Sequence, residues 1–107
     1  MEEVARAIAE PRRQRILRLV RDRELSAGQI ASRFEISRPA VSQHLAVLRK
    51  AGLVNERRDG TRRLYSARPE GAEELRAFLE DFWSDGLERL RLAAELEEQR
   101  KEKRGKR

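Results

Sequence analysis

The 107 residues, 41% of them charged and 38% hydrophobic, suit one compact domain and contain no apolar run near the roughly 20 residues that a membrane span requires. There is no cysteine, which excludes a disulfide framework, a thiolate metal site and a cysteine nucleophile. The net charge of +6 is unevenly placed: Ser26 to Arg68 carries nine basic and three acidic residues, whereas Pro69 to Leu96 carries three and eight. A basic middle followed by an acidic, leucine-rich segment fits a polyanion-binding surface joined to a scaffold. Met1 to Glu10 lacks the basic start and apolar core of a signal peptide, so a cytoplasmic chain is expected, with no membrane partner.

In chain order, Val4, Ala5, Ile8 and Ala9 have helical spacing, and Pro11 suits the first turn of a second helix. Two helices therefore meet near Glu10. Ile16, Leu17, Leu19 and Val20 recur among arginines and predict that the second helix covers 11–23. Leu25 and Ser26 read as a staple residue and N-cap for a short third helix, Ala27 to Phe34, with Ile30, Ala31 and Phe34 inward and a tight turn at Glu35 and Ile36. Ser37 caps a fourth helix that has Pro39 near its start and runs to about Ala51, where Gly52 signals its end. Val54 to Arg58 and Thr61 to Ser66 flank Asp59-Gly60, which predicts a hairpin with Glu56 opposite Arg63 and Val54 opposite Tyr65. Pro69 ends the strand and opens a last helix, Glu70 to about Glu98. Leu75, Phe78, Leu79, Phe82, Trp83, Leu87, Leu90, Ala93 and Ala94 give that helix a wide apolar face, interrupted by Gly86. The segment from Gln99 to Arg107 is nearly all charge and is expected to fray or stay disordered. The fold class is mainly α, a winged helix-turn-helix over 1–98 with a β-hairpin wing and a long C-terminal helix, followed by a basic tail at 99–107.

Ser26 to Leu48 holds the most information. Ala31 is small where two helices cross, Ile36 plugs the turn, and Val41, Leu45 and Leu48 hold the fourth helix against the rest. Pro39, Gln43, Ala46 and Lys50 then lie opposite the buried stripe, with Arg38, Ser42 and Arg49 on one flank. Gln43 can bond twice to an adenine edge, Arg38 can pair with guanine or phosphate, Ser42 can bond to either, and Pro39 and Ala40 can touch thymine methyls. Ser37 and Ser42 can instead merely cap or solvate a surface helix. His44, at the border of the buried face, suits a packing role and a phosphate contact equally. Arg57, Arg58, Arg62 and Arg63 place four guanidinium groups on the hairpin, within reach of phosphates or a narrow minor groove, or serve as a solvated edge that resists aggregation. Arg12, Arg13 and Arg15 add backbone contacts or solvate their helix.

These features resemble the winged helix-turn-helix repressors of the ArsR family, from Val4 to Leu96. The most specific stretch is SRPAVSQHLAVLRKAGLV, Ser37 to Val54, followed by the arginine-rich hairpin closing on Leu64 and Tyr65. The resemblance implies a homodimer joined through the first and last helices on a pseudo-palindromic operator in a bacterial promoter. The expected interface residues are Val4, Ile8, Leu75, Phe78, Leu79, Phe82, Trp83, Gly86, Leu87 and Leu90. Many members of the family sense metals through cysteines near the DNA-binding helices or through Asp and His sets on the last helix. This chain has neither, since its one histidine is His44, and carboxylates such as Glu73, Glu80 and Asp81 suit soft or borderline ions poorly. No metal site and no cofactor are expected, and the sequence names no inducer.

The function expected is a sequence-specific double-stranded DNA-binding regulator, a homodimeric repressor or autorepressor with half-sites about 34 Å apart. The alternative is a non-specific architectural protein whose tail and wing act without base readout. A third reading makes the last helix a recruiter of another protein. One histidine, no cysteine and no Gly-rich phosphate loop leave little from which to build an enzyme.

Overall fold

The computed structural model describes Met1 to Gly105. Helices α1 (Glu2–Ala9) and α2 (Pro11–Leu19) meet at Glu10, which is extended and whose carboxylate accepts the Arg13 N–H at 2.9 Å. Arg13 reaches back, donating from Nε to the Ala7 carbonyl at 2.7 Å and from Nη2 to the Arg6 carbonyl at 3.1 Å. Gln14 Nε2 donates to the Ile8 carbonyl at 2.8 Å. Side chains of α2 thus satisfy the carbonyls that the end of α1 leaves open, which fixes the corner. Helix α2 stops at Leu19, short of the Arg23 expected from its pattern. Val20 is fully buried, and its carbonyl accepts the Ala67 N–H at 2.9 Å, so the sheet takes the group a longer helix would have used.

Leu25–Ser26 forms a short strand, β1, where the residue pattern predicts only a staple and a cap. Ser26 nonetheless caps α3 (Ala27–Ala31) reciprocally: its Oγ accepts the Gln29 N–H at 3.2 Å, and Gln29 Oε1 accepts the Ser26 N–H at 2.9 Å. Helix α3 is shorter than the expected Ala27 to Phe34, because Ser32 closes it with an Oγ–H bond to the Gln29 carbonyl at 2.7 Å. Phe34 still packs on the core, from the turn rather than from the helix. Ser37 Oγ accepts the Ala40 N–H at 3.3 Å and starts α4 (Arg38–Lys50), with Val41, Leu45 and Leu48 buried beneath it.

Strands β2 (Val54–Asp59) and β3 (Arg62–Ala67) complete a three-stranded antiparallel sheet in the order β1-β3-β2. The hairpin register differs from the expected one by two residues: Glu56 opposes Tyr65, Val54 opposes Ala67, and Arg58 opposes Arg63. The cause is Gly60. Its φ of +66° makes it the first of two loop residues, with Thr61 the second, and among the described residues no non-glycine takes a positive φ. One positive φ at the first loop position suits a type II′ turn, whereas a type I′ turn centred on Asp59-Gly60 would need two.

The core is one cluster of Val4, Ala7, Ile16, Val20, Leu25, Ile30, Val41, Leu45, Leu48, Leu53 and Val54, drawn from both helices and strands. After β3, Pro69–Ala72 makes a 3-10 turn, and α5 (Glu73–Gly105) begins three residues later than the expected Glu70. Gly71 in that turn lies so close to the chain after α4 that an added Cβ would stand 1.9 Å from the Gly52 carbonyl oxygen.

Met1–Leu75 forms one compact unit, and the helix from Arg76 onward forms another. The helix continues past the expected end near Glu98, into the segment read as a fraying tail. Glu, Gln, Lys and Arg are good helix formers, and Arg100 lies 3.6 Å from Glu97, so high charge does not break the helix here. The last two residues of the expected tail lie outside the described residues. Among the described residues no helix is long and apolar enough to cross a membrane.

Candidate nucleic-acid interface

Capping and packing position α4 before any ligand is considered. Ser37 and Pro39 set its first turn, and the buried row Val41, Leu45 and Leu48 fixes its rotation about its axis. That rotation leaves Pro39, Gln43, Ala46 and Lys50 exposed on the far side, as the spacing predicted, with Arg38, Ser42 and Arg49 exposed on one flank. Ala40 is half-buried. His44 is half-buried too, with Nδ1 3.4 Å from Arg13 Nη1, which ties it to the α1–α2 corner. The same Arg13 is occupied by carbonyls of α1, so of the three basic residues early in α2 only Arg12 and Arg15 remain exposed.

The flank of α4 and the hairpin face one another across an open groove of about 680 Å³. Arg38, Ser42 and Arg49 line it from the helix, Glu56, Thr61, Arg62 and Arg63 from the hairpin, and Ser26 to Gly28 from its end. Four guanidinium groups and one carboxylate give this groove a strong positive balance.

The four hairpin arginines are not equivalent. Arg57 donates to the Glu24 carboxylate through Nε at 2.9 Å and Nη2 at 3.0 Å. That bidentate bond holds the Glu24 carboxyl below its ordinary pKa, and the same pairing raises that of Arg57. Arg63 Nε lies 3.2 Å from Glu56 Oε1, and Arg49 Nη1 lies 2.6 Å from Glu56 Oε2. Among the described residues no ion pair or side-chain hydrogen bond engages Arg38, Arg58 or Arg62. The wing therefore has two tethered and two untethered cations. Sequence reading singled out all four but missed Glu24, which lies 33 positions before its partner.

The expected interface residues divide as well. Val4 is 9% exposed and belongs to the chain's own core, against which Ile8 and Leu75 also pack. Phe78, Leu79, Phe82, Trp83, Leu87 and Leu90, joined by Leu92 and Leu96, are 48–67% exposed in the single chain, and a Cβ added at Gly86 would meet no atom of the described residues beyond its own helix turn within 4 Å. The large apolar surface left uncovered is on α5, not at Val4. No group of three or more His, Cys, Asp or Glu side chains converges among the described residues.

A buried-face-controlled helix after a capped short helix and turn, with a basic hairpin alongside, is the arrangement of a winged helix-turn-helix. The family model described as "Bacterial regulatory protein, arsR family" matches residues 10–56. The HTH-type transcriptional regulator Rv2034 of Mycobacterium tuberculosis is 43% identical over 81 residues, which cover 76% of each chain. The chain belongs to the ArsR family. Another relative, the transcriptional repressor SdpR of Bacillus subtilis, is 39% identical over 66 residues, 62% of this chain and 73% of that protein. The fold agrees with a solved ArsR-like transcriptional regulator from Rhodococcus sp. RHA1, with a TM-score of 0.75 at 27% identity over 91% of this chain and 89% of the other. As a member of the ArsR family the protein is a DNA-binding transcription regulator, not an enzyme.

Proposed function

We propose that the protein is a cytoplasmic homodimeric repressor or autorepressor that reads a pseudo-palindromic promoter site through α4. The observation that carries this reading is the exposed row Pro39, Gln43, Ala46 and Lys50 on a helix whose opposite row is fully buried. A helix held this firmly can enter a major groove as a rigid element, with Gln43 bonding an adenine edge and Arg38 a guanine or a phosphate. Arg49, Lys50, Arg58 and Arg62 contact the sugar-phosphate backbone and supply affinity without hydrogen-bonding a base edge. A second copy covers the apolar face of α5, because eight large apolar side chains on one helix are costly to leave in water. Two-fold symmetry then places two copies of α4 about one helical turn, roughly 34 Å, apart. Occupancy of a promoter by such a dimer blocks polymerase access, in keeping with the repressor among its relatives.

The test is selection of bound duplexes from a random pool, read by sequencing at two salt concentrations. A two-fold motif with half-sites one turn apart is the expected result. Enrichment without a motif would support non-specific architectural binding instead. A reporter placed behind the selected site distinguishes repression from activation.

A further inference from the structure

Among the described residues that line the groove between α4 and the wing, Glu56 is the one acidic side chain, an unusual placement for a surface that meets polyanions. Its side chain is 14% exposed, while those of Arg49 and Arg63 beside it are 61% and 53% exposed. Its Oε2 is buried and accepts no hydrogen bond, although Arg49 Nη1 stands 2.6 Å away as an ion-pair partner off the hydrogen-bonding axis. With Oε2 covered and the side chain 14% exposed, Glu56 offers a DNA strand little surface of its own. Its carboxylate acts on the groove through the two guanidinium groups beside it, one on α4 and one on β3.

We infer that Glu56 is a positioning residue for DNA recognition, clasping Arg49 of α4 to Arg63 of the wing and restricting both to one orientation in the groove. The inference rests on the reading of α4 and the wing as the DNA-binding surface. Two arginines on different elements share one carboxylate, so the angle between helix and hairpin is coupled to where their charges point. The carboxylate also cancels one of the two positive charges. The cluster then adds a net charge of about one to the attraction for any duplex, and it favours the duplex whose phosphates fit the fixed geometry. The clasp thus trades non-specific affinity for discrimination. Arg38 and Arg62 line the same groove with no partner among the described residues and provide the unrestricted attraction.

The experiment compares wild type, Glu56→Gln, Arg49→Ala and the double variant on the selected duplex and on a random duplex across a salt series, with thermal unfolding followed in parallel. Glu56→Gln keeps the side-chain size and removes the charge. It is expected to tighten random-duplex binding, to steepen the dependence of log affinity on log salt by about one, and to lower the specific-to-random ratio about tenfold. Arg49→Ala is expected to remove most of the effect of Glu56→Gln in the double variant. An unchanged salt slope and ratio would overturn the inference, as would equal losses on both duplexes, which would leave Glu56 a stabilising residue only. If wild type itself selects no motif, the DNA-reading function of α4 fails instead, and the two failures are distinct.

Discussion

Arg57 and Glu24 meet through two parallel N–H···O bonds, at 2.9 and 3.0 Å, and tie β2 of the hairpin to the chain just before β1. Arg57 is therefore spent on the protein's own architecture, while Arg58 next to it is not. We expect Arg58→Ala and Arg62→Ala each to flatten the salt dependence of DNA binding by about one, and Arg57→Ala to flatten it less. Titrations of a labelled duplex at several salt concentrations check this. Equal effects from all three arginines would show that the Glu24 bond breaks on binding.

The same pair predicts a pH dependence. The hydrogen bonds from Arg57 lower the folded-state pKa of the Glu24 carboxyl below its ordinary 4.5, against a smaller opposing effect of desolvation. A carboxyl whose folded pKa is depressed adds stability above its unfolded pKa and loses it as pH falls through the folded value. Wild type is thus expected to lose part of its margin over Glu24→Gln as pH drops from about 5 to about 3, with the two melting curves converging at the acid end. Because both groups are solvent-exposed, the difference is expected to be small. A constant gap between the two proteins across that range would count against the pairing.

If α4 reads bases as proposed, Gln43→Ala is expected to cost about 1–3 kcal/mol at one half-site position and to relax base preference there. Binding to random duplex should barely change. Repeating the selection with the variant reads this directly, and an unaltered motif would show that Gln43 reads no base.

The uncovered face of α5 makes a prediction about assembly. Leu79→Glu or Trp83→Glu puts a charge among Phe78, Phe82 and Leu87, all at least half exposed in the single chain. On the proposed homodimer, sedimentation is expected to show monomers for either variant and dimers for wild type. A variant that stays dimeric would place the contact elsewhere on the molecule.

Gly71 is the position at which one methyl group is expected to matter most. An added Cβ would lie 1.9 Å from the Gly52 oxygen and 2.7 Å from its carbonyl carbon, so backbone must move. Gly71→Ala is expected to cost about 2–3 kcal/mol and to lower Tm by about 10 °C. Gly28→Ala is the control: its Cβ would meet only Ser26 Oγ at 4.0 Å inside α3, where alanine adds roughly 0.5–1 kcal/mol of stability.

The parts of the fold that a sequence reveals are those written in consecutive residues. Caps at Ser26 and Ser37, the prolines that open α2 and α4, and the row Val41, Leu45 and Leu48 all depend on local spacing. Strand β1 does not: two residues become a strand only because Tyr65 and Leu64 lie alongside, and nothing at Leu25 signals that partner. The hairpin register failed by two residues because Asp59-Gly60 and Gly60-Thr61 are both acceptable turns, and tertiary pairing chose the second. The alternation of the hairpin pairs Glu56 with Arg63, and the two do meet, diagonally at 3.2 Å instead of directly opposite. Its second partner, Arg49, belongs to a helix whose rotation relative to the hairpin is set by the core, so no local signal announces it.

The strand order β1-β3-β2 has a consequence for how this surface can be altered. Because Leu25 and Ser26 grip β3 at Tyr65 and Leu64, the hairpin is anchored at its base and only the stretch from Arg58 to Arg63 extends beyond that grip. Within that overhang Arg58 and Arg62 sit outside the grip, so substitutions at these two positions leave the paired base of the hairpin in place and act as a volume control on its positive charge.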